Sequence, residues 1–273
     1  MADNWCEDSR RRAKAAMIDT TVPNPARVAD YLTGGRDNFE ADRRAVRMLV
    51  AAGRVDTFFA EARAFHQRAV RYLVAEAGIR QFIDIGTSAT MTGGTHEVAQ
   101  SLAPECRVVY VDSDPMVLVH ARALLTSTPR GAVAQVDADV TDPRTILSGA
   151  AETLDLGQPI ALLLMATLGY VLGDAAAAEI LLSLVGAVPA GSHVALYHQA
   201  SDLDPPLAVT VRRWNAMCRR KITLRSRAQL TRLLAGLDLV PPGLVSVTGW
   251  RPSPKDPRLG RAVPVYGAVA RKP

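Results

Sequence analysis

Between Gln81 and Thr95 the chain reads QFIDIGTSATMTGGT, and this stretch limits the possible folds more than any other. Phe82, Ile83 and Ile85 form the apolar run of a short buried strand. Asp84 and Gly86 fall where a parallel strand turns toward a helix, and a glycine there lets backbone N–H groups approach a ligand closely. A second strand signal, RVVYV over 107–111, ends in Asp112. An acidic side chain at the end of the next strand, about 20 residues or slightly more after the turn, is what a nucleoside ribose needs as its hydrogen-bond partner. The alternative for Asp112 is a plain cap on the following helix. Strand, glycine turn, helix, strand and acid together point to a nucleoside-bearing cofactor at the carboxyl edge of a sheet.

The turn is not a dinucleotide fingerprint. The pattern G-x-G-x-x-G would need glycines where Ser88 and Met91 stand, so a tightly packed pyrophosphate is disfavoured and a cofactor without phosphates is preferred.

The rest of the chain supplies the alternation that a doubly wound sheet requires. Phe58 to Ala77 carries apolar residues at helical spacing, with Gly78 as its stop signal. Helices are expected near Thr95–Leu102, from Asp114-Pro115 to about Leu125, and from Asp142-Pro143. Ala132 to Val136 reads as a third strand, followed by Asp137, Asp139 and Val140. The continuous run IALLLM over 160–165 marks a central strand buried on both faces, and Ala166 to Tyr170 follows it on the same sheet edge as Gly86 and Asp112. A helix over 175–188 leads to a fifth strand over 192–197 and then to His198. Two helices (205–219 and 226–235) and two strands (237–240 and 263–269) complete an α/β chain with an antiparallel addition at the C-terminus.

Ahead of this lies a leader, 1–17, expected to be mobile. A helical segment over 18–78 follows, in which Gly34-Gly35 stops a short helix before Asp37, Asn38 and Asp42. It reads as a helix-loop-helix cap, or as a lid whose Gly-Gly loop closes on a ligand. Residues 79–273 form the sheet domain.

Bulk properties narrow the function. At 273 residues and 48% hydrophobic the chain can bury one large core, and no apolar run reaches the roughly 18 residues of a membrane span. Cys6, Cys106 and Cys218 lack metal or disulfide spacing, and Arg10–Arg12 precede no apolar signal region, so a cytoplasmic protein without a metal site is expected. The net charge of +5 (32 basic minus 27 acidic residues) comes largely from 10–14 and from Arg212, Arg213, Arg219, Arg220, Lys221, Arg225 and Arg227. With 5% aromatics and none interleaved among them, these read as solvated faces or an acidic-substrate rim, not a nucleic-acid platform.

Candidate general bases near the expected edge are His198 and Tyr170, the latter more a wall than a base. His96, in the first turn after the glycine loop where the helix dipole lowers its pKa, is a lesser third candidate and reads more as structural. His66 and His120 read as helix packing or surface residues.

FIDIGT, VVYVD, DADV and the apolar strand before ATLGY resemble the sequence motifs of class I S-adenosylmethionine-dependent methyltransferases. More narrowly, PNPARVADYLTGGRDNFEADRRAV, IRQFIDIGT, HEVAQ, RVVYVDSDPMVLVHARALL and DPRTIL resemble an actinobacterial family of S-adenosyl methyltransferases, formerly a domain of unknown function. The resemblance spans roughly residue 18 to the C-terminus. It implies a Rossmann-like, seven-stranded, mostly parallel sheet with an N-terminal helical cap, and S-adenosyl-L-methionine as cofactor. It places Asp84, Gly86 and Thr87 at the methionine end, Asp112 on the ribose hydroxyls, Ser113 on the adenine rim and Asp139 with Val140 on the adenine edge. Tyr31, Gly34, Gly35 and Asn38 would form the lid, Arg63 would face the site, and Ala166 would stand at the fourth strand's end. The implied activity is methyl transfer to a small molecule, possible in specialised metabolism. Because the family's GTG turn is Gly86-Thr87-Ser88 here, intramolecular displacement releasing methylthioadenosine stays open beside it, and a non-catalytic cofactor-binding regulator is the reading favoured if His198 and Tyr170 lie remote from the sulfonium.

Overall fold

A computed structural model describes residues 19–32, 34–51, 55–86, 93–253 and 262–273, apart from the side chains of 51, 55–57, 120 and 122–124. The leader over 1–17, Thr87 and the His120 side chain lie outside that description. Three N-terminal helices come first: α1 (Pro25–Leu32), α2 (Glu40–Ala51) and α3 (Val55–Ala75). Strand β1 (Gln81–Ile85), helix α4 (Thr95–Leu102), β2 (Arg107–Asp112), α5 (Pro115–Leu124), β3 (Ala132–Asp137), α6 (Pro143–Ala150) and β4 (Ile160–Met165) then alternate. A 3-10 turn (Thr167–Tyr170), α7 (Asp174–Gly186), β5 (His193–Gln199), α8 (Pro205–Met217) and α9 (Arg227–Leu233) follow. The C-terminal strands are β6 (Asp238–Leu239), β7 (Val245–Ser246) and β8 (Val265–Arg271).

The sheet runs β3-β2-β1-β4-β5-β8-β6, seven strands on one path, with β7 pairing to β8 beside it. The first five strands of that path are mutually parallel and β8 enters antiparallel. This is a mixed α/β fold with helices on both faces of the sheet, the architecture that the resemblance implies. The strand order reverses between β1 and β4, where ligands of open α/β sheets bind beyond the strands' carboxyl ends.

Strand β4 shows why a continuous apolar run belongs in the middle. Ile160, Leu162 and Leu164 enter the core on one face, with Ile146 of α6 and Ala177, Leu181 and Leu184 of α7. Ala161 and Leu163 enter the other, with Phe65, Ala69 and Leu73 of α3. Each such buried aliphatic side chain contributes about 1.5–3 kcal/mol relative to exposure. The expected fifth strand was placed over 192–197; β5 starts one residue later and runs two further, so His198 lies inside it instead of after it.

The segment before β1 is held by a buried ion pair. Asp42, fully buried, accepts from Arg27 Nε at 2.9 Å, from the Asn24 backbone at 2.8 Å and from the Phe39 backbone at 2.8 Å. Arg27 also donates to the Asp19 and Val22 carbonyls and lies over the Phe39 ring, so 19–42 is one hydrogen-bonded unit. Asn24 Nδ2 then donates to Asp114 Oδ2 at 2.6 Å and ties that unit to the end of β2.

Removing one partner of a buried pair leaves the other charge without compensation. Asp42→Ala is expected to lose about 3–5 kcal/mol in urea unfolding. An unchanged midpoint would mean that 19–42 is not part of the cooperative unit.

Candidate active site

A cavity of about 390 Å³ opens at the carboxyl edge of the parallel strands, within the range of about 300–1,000 Å³ typical of small-molecule sites. Its floor is made by the ends of β1, β2 and β4 and the last residues of β5; its roof comes from 19–29.

Each floor residue is there for a local reason. Gly86 has φ +81°, and a Cβ on it would lie 2.5 Å from Thr167 Oγ1, so only glycine fits. Its N–H donates to the Val111 carbonyl at 2.8 Å, while Thr167 donates its hydroxyl to the Ile85 carbonyl, locking the β1 and β4 ends together. Ala166 holds the left-handed conformation at φ 64°, which costs a residue with a Cβ about 1–2 kcal/mol. That strain sits on the cavity wall.

Asp112 lines the cavity at the tip of β2, and Asp114 takes over the helix-capping role by accepting from Met116 N at 2.8 Å. Asp112 Oδ1 accepts from the Asp114 backbone at 2.8 Å. Burial, with the Asp114 carboxylate nearby, pushes its carboxyl up to about 7, against hydrogen bonds and the Arg220 guanidinium that act to lower it. Ser113 also lines the cavity and approaches Asp139, its Oγ 3.4 Å from Oδ2. Arg220 donates to both of them and lies over the Tyr170 ring at 5.9 Å, spanning the mouth from β2 to β4. Arg219 closes the roof through Asp19 Oδ2 at 2.9 Å.

Of the residues singled out from sequence, Gly86, Asp112, Ser113, Ala166 and Tyr170 come together in this cavity, and Asp139 joins them through Ser113 and Arg220. Asp84 lies beneath the floor: its Oδ2 accepts from Thr95 Oγ1 at 2.6 Å, which is itself 2.8 Å from His66 Nε2. Val140 packs into the core below α6. His96 is structural, its Nδ1 2.8 Å from the Tyr110 hydroxyl. Arg63 stands over Gly93, away from the cavity lining.

The expected lid is placed differently. Tyr31, Gly34, Gly35 and Asn38 do not line the cavity. Asp30 accepts from the Asp37 backbone and from Asn38 Nδ2, both at 2.9 Å, and its carboxylate fills the space where Gly35 would carry a Cβ. The Gly-Gly loop therefore folds back on α1, and the preceding stretch, including Pro23, Asn24 and Pro25, forms the roof.

Neither expected base is arranged to remove a proton. His198 is buried, its Nδ1 donating to the Gln199 carbonyl at 2.9 Å and its Nε2 accepting from Arg225 Nη1 at 2.8 Å. Burial and that guanidinium push it down to about 4. Burial raises the Tyr170 hydroxyl above its ordinary range, so it serves as a wall and stays protonated. Strand alternation places Tyr197 and Gln199 at the cavity and His198 on the opposite face.

Arg225 was expected on a solvated face and is instead fully buried. It donates to the carbonyls of Leu168, Val171 and Gly173 and to Asp174 as well as to His198, fixing the segment that carries Tyr170. The sequence does not mark Asn24 or Gln199, and it marks Arg225 only within a basic cluster; its place just before the Ser226 capping box is the one available hint that sets it apart.

Comparison with known proteins identifies the family and the fold. Residues 11–273 match the family model described as S-adenosyl methyltransferase. A DUF574 family protein of Streptomyces avermitilis is 39% identical, with 94% of this chain and 100% of that one covered and a TM-score of 0.90. A proposed methyltransferase of Thermobifida fusca is 35% identical over 93% of this chain and 96% of its own, with a TM-score of 0.84. No curated protein matches.

The His198 environment predicts a pH effect on stability. An imidazole at about 4 folded and about 6.5 unfolded leaves the unfolded chain binding more protons, so stability is intact above pH 6.5 and falls as pH drops toward 4, by about 3 kcal/mol. Urea unfolding of His198→Gln at pH 7 and pH 4.5 is expected to show a smaller difference between the two pH values than the wild type. Equal differences would place the titration elsewhere.

Proposed function

Because this chain belongs to the S-adenosyl methyltransferase family, an S-adenosylmethionine-dependent transferase, we propose that it methylates a small organic molecule held beside the cofactor at the β4–β5 end of the cavity. The observation that carries this reading is Asp112, at the tip of β2, facing a cavity whose floor turn, Gly86, has no room for a side chain.

The residues present fit the cofactor. A carboxylate at the β2 tip accepts hydrogen bonds from two vicinal ribose hydroxyls, worth about 1.5–3 kcal/mol as charged bonds. Ser113 and Asp139, 3.4 Å apart, would border the adenine edge, and the Gly86 turn would let the methionine end approach the backbone. When bound, S-adenosylmethionine supplies a methyl sulfonium, an electrophile that needs an in-line nucleophile and the exclusion of water more than activation.

The protein's own contribution is placement. Phe58 and Phe59, their rings 5.0 Å apart and near perpendicular, make an apolar wall with Tyr170 and exclude water from that end. The roof over 19–29 covers the opening, held at one side by Asn24 on Asp114 and at the other by Arg219 on Asp19. With the Tyr170 hydroxyl protonated and His198 turned away, an acceptor that is already nucleophilic, or one that loses its proton to solvent, suits this site.

Two measurements test the reading. Asp112→Ala is expected to weaken S-adenosylhomocysteine binding by about 1.5–3 kcal/mol in calorimetry, and an unchanged affinity would remove the ribose role. The ionised carboxyl is the form that accepts from both hydroxyls, so binding lowers its pKa and affinity rises with pH through about 7. From pH 8 to pH 6 the wild type should lose about tenfold in affinity, whereas Asp112→Asn should show no such dependence.

A further inference from the structure

A second, smaller cavity of about 110 Å³ adjoins the first and shares Phe58, Phe59, Tyr170 and Gln199 with it. Its outer wall is apolar, with Val28 and Leu49 from the N-terminal helices and Leu207, Val211 and Trp214 from α8. The volume is on the scale of the about 150 Å³ apolar cavity known to take up benzene.

Its place follows from the sheet order. Asp112 ends β2, Gly86 follows β1, Tyr170 follows β4 and Gln199 ends β5, so these four stand in that order along one edge. Three strand spacings of about 4.8 Å separate the first from the last, about 14 Å in all. A nucleoside held at Asp112 with its sulfur end over Gly86 therefore points along the edge toward the shared wall.

The polar inventory of the smaller cavity is short. Among the described residues that line it there is no Lys, Arg or His. The Thr210 hydroxyl donates to the Pro206 carbonyl, and Asp204 stands at the start of α8. Gln199 Oε1 is buried and, among the described residues, has no hydrogen-bond partner. Leaving such an acceptor unmet costs about 1–3 kcal/mol, which a donor in the cavity would recover once the Gln199 side chain, which lines it, turns the oxygen toward the ligand. Gly169 makes the space for it: a Cβ there would come within 3.0 Å of Oε1.

We infer that this cavity is the methyl-acceptor subsite and takes a neutral, single-ring compound whose hydroxyl donates to Gln199 Oε1; that hydroxyl oxygen would bond to the methyl carbon as the methyl–sulfur bond breaks, S-adenosylhomocysteine would leave, and the hydroxyl proton would pass to solvent. The inference rests on the methyl-transfer reading above. Anionic acceptors are selected against, since no cation among the described residues lines the cavity and Asp204 would repel them. A ring suits a lining that includes Tyr170, Phe58 and Trp214, and one donor answers the orphaned Gln199 acceptor.

The test is calorimetry on the full-length protein, first with S-adenosylhomocysteine and then, in the saturated complex, with four probes: 4-methylphenol, toluene, 4-methylbenzoate and 4-methylbenzylamine. Tryptophan fluorescence, taken as the difference from a Trp214→Phe variant, gives a second readout at the cavity itself. The expected result is saturable binding of 4-methylphenol, about tenfold tighter than toluene and tighter than either charged probe. Gln199→Leu should bring 4-methylphenol down to the level of toluene. Leu207→Trp, which fills the cavity, should abolish binding of both. Equal binding of 4-methylphenol and toluene, preference for a charged probe, or no probe binding in a protein that binds S-adenosylhomocysteine normally would each overturn the inference and leave the cofactor site standing. Absence of S-adenosylhomocysteine binding would overturn the methyl-transfer reading itself, and the acceptor role with it.

Discussion

A parallel sheet buried on both faces has no exposed surface on which to build chemistry, so everything a ligand meets must be assembled at the strand ends. In this chain β1, β2, β4 and β5 all point the same way and stop within a few residues of one another in register. Gly86, Asp112, Ala166 and Gln199 are consequently neighbours, although more than 110 positions separate the first from the last in the sequence. The sheet's apolar content fixes where the site is, and the few polar or glycine residues after each strand decide what it can hold.

Two buried cations carry the surroundings of that edge. Arg27, paired with Asp42, organises the stretch that roofs the cavity, and Arg225, with His198 beneath it, organises the turn that presents Tyr170. Each guanidinium meets several backbone carbonyls, so each converts an irregular segment into one with satisfied hydrogen bonds. The roof and the wall are thereby held as firmly as regular structure, which is what placing a methyl group within reach of its acceptor requires.

Much of the fold was legible because apolar runs and breakers are local signals. IALLLM, RVVYV and QFIDI gave central strands, and Pro115, Pro143 and Ser226 gave helix starts that agree with the structure. Asp112 was legible because the strand before it and the glycine turn upstream constrain it jointly. What escaped was parity and tertiary choice. Two residues of extra strand length put His198 within β5, where alternation gives the cavity to Gln199 and Tyr197 and turns the histidine away. Gly34-Gly35 looked like a ligand-closing hinge, yet the space Gly35 leaves is taken by Asp30 of the same segment, and no spacing rule tells a neighbouring carboxylate from a ligand. Seven basic residues between 212 and 227 looked alike in sequence; burial separates Arg225, fully enclosed, from Arg219, whose side chain is 78% exposed.

The central claim is that a phosphate-free adenosine lies along the carboxyl edge, with its ribose on β2 and its sulfur toward β4 and β5. A crystal structure of the complex with S-adenosylhomocysteine measures this directly. The account predicts both ribose hydroxyls within hydrogen-bond distance of the Asp112 carboxylate and the sulfur between Gly86 and the Tyr170 wall. A nucleoside bound elsewhere, or one in the cavity with its ribose away from Asp112, would contradict it.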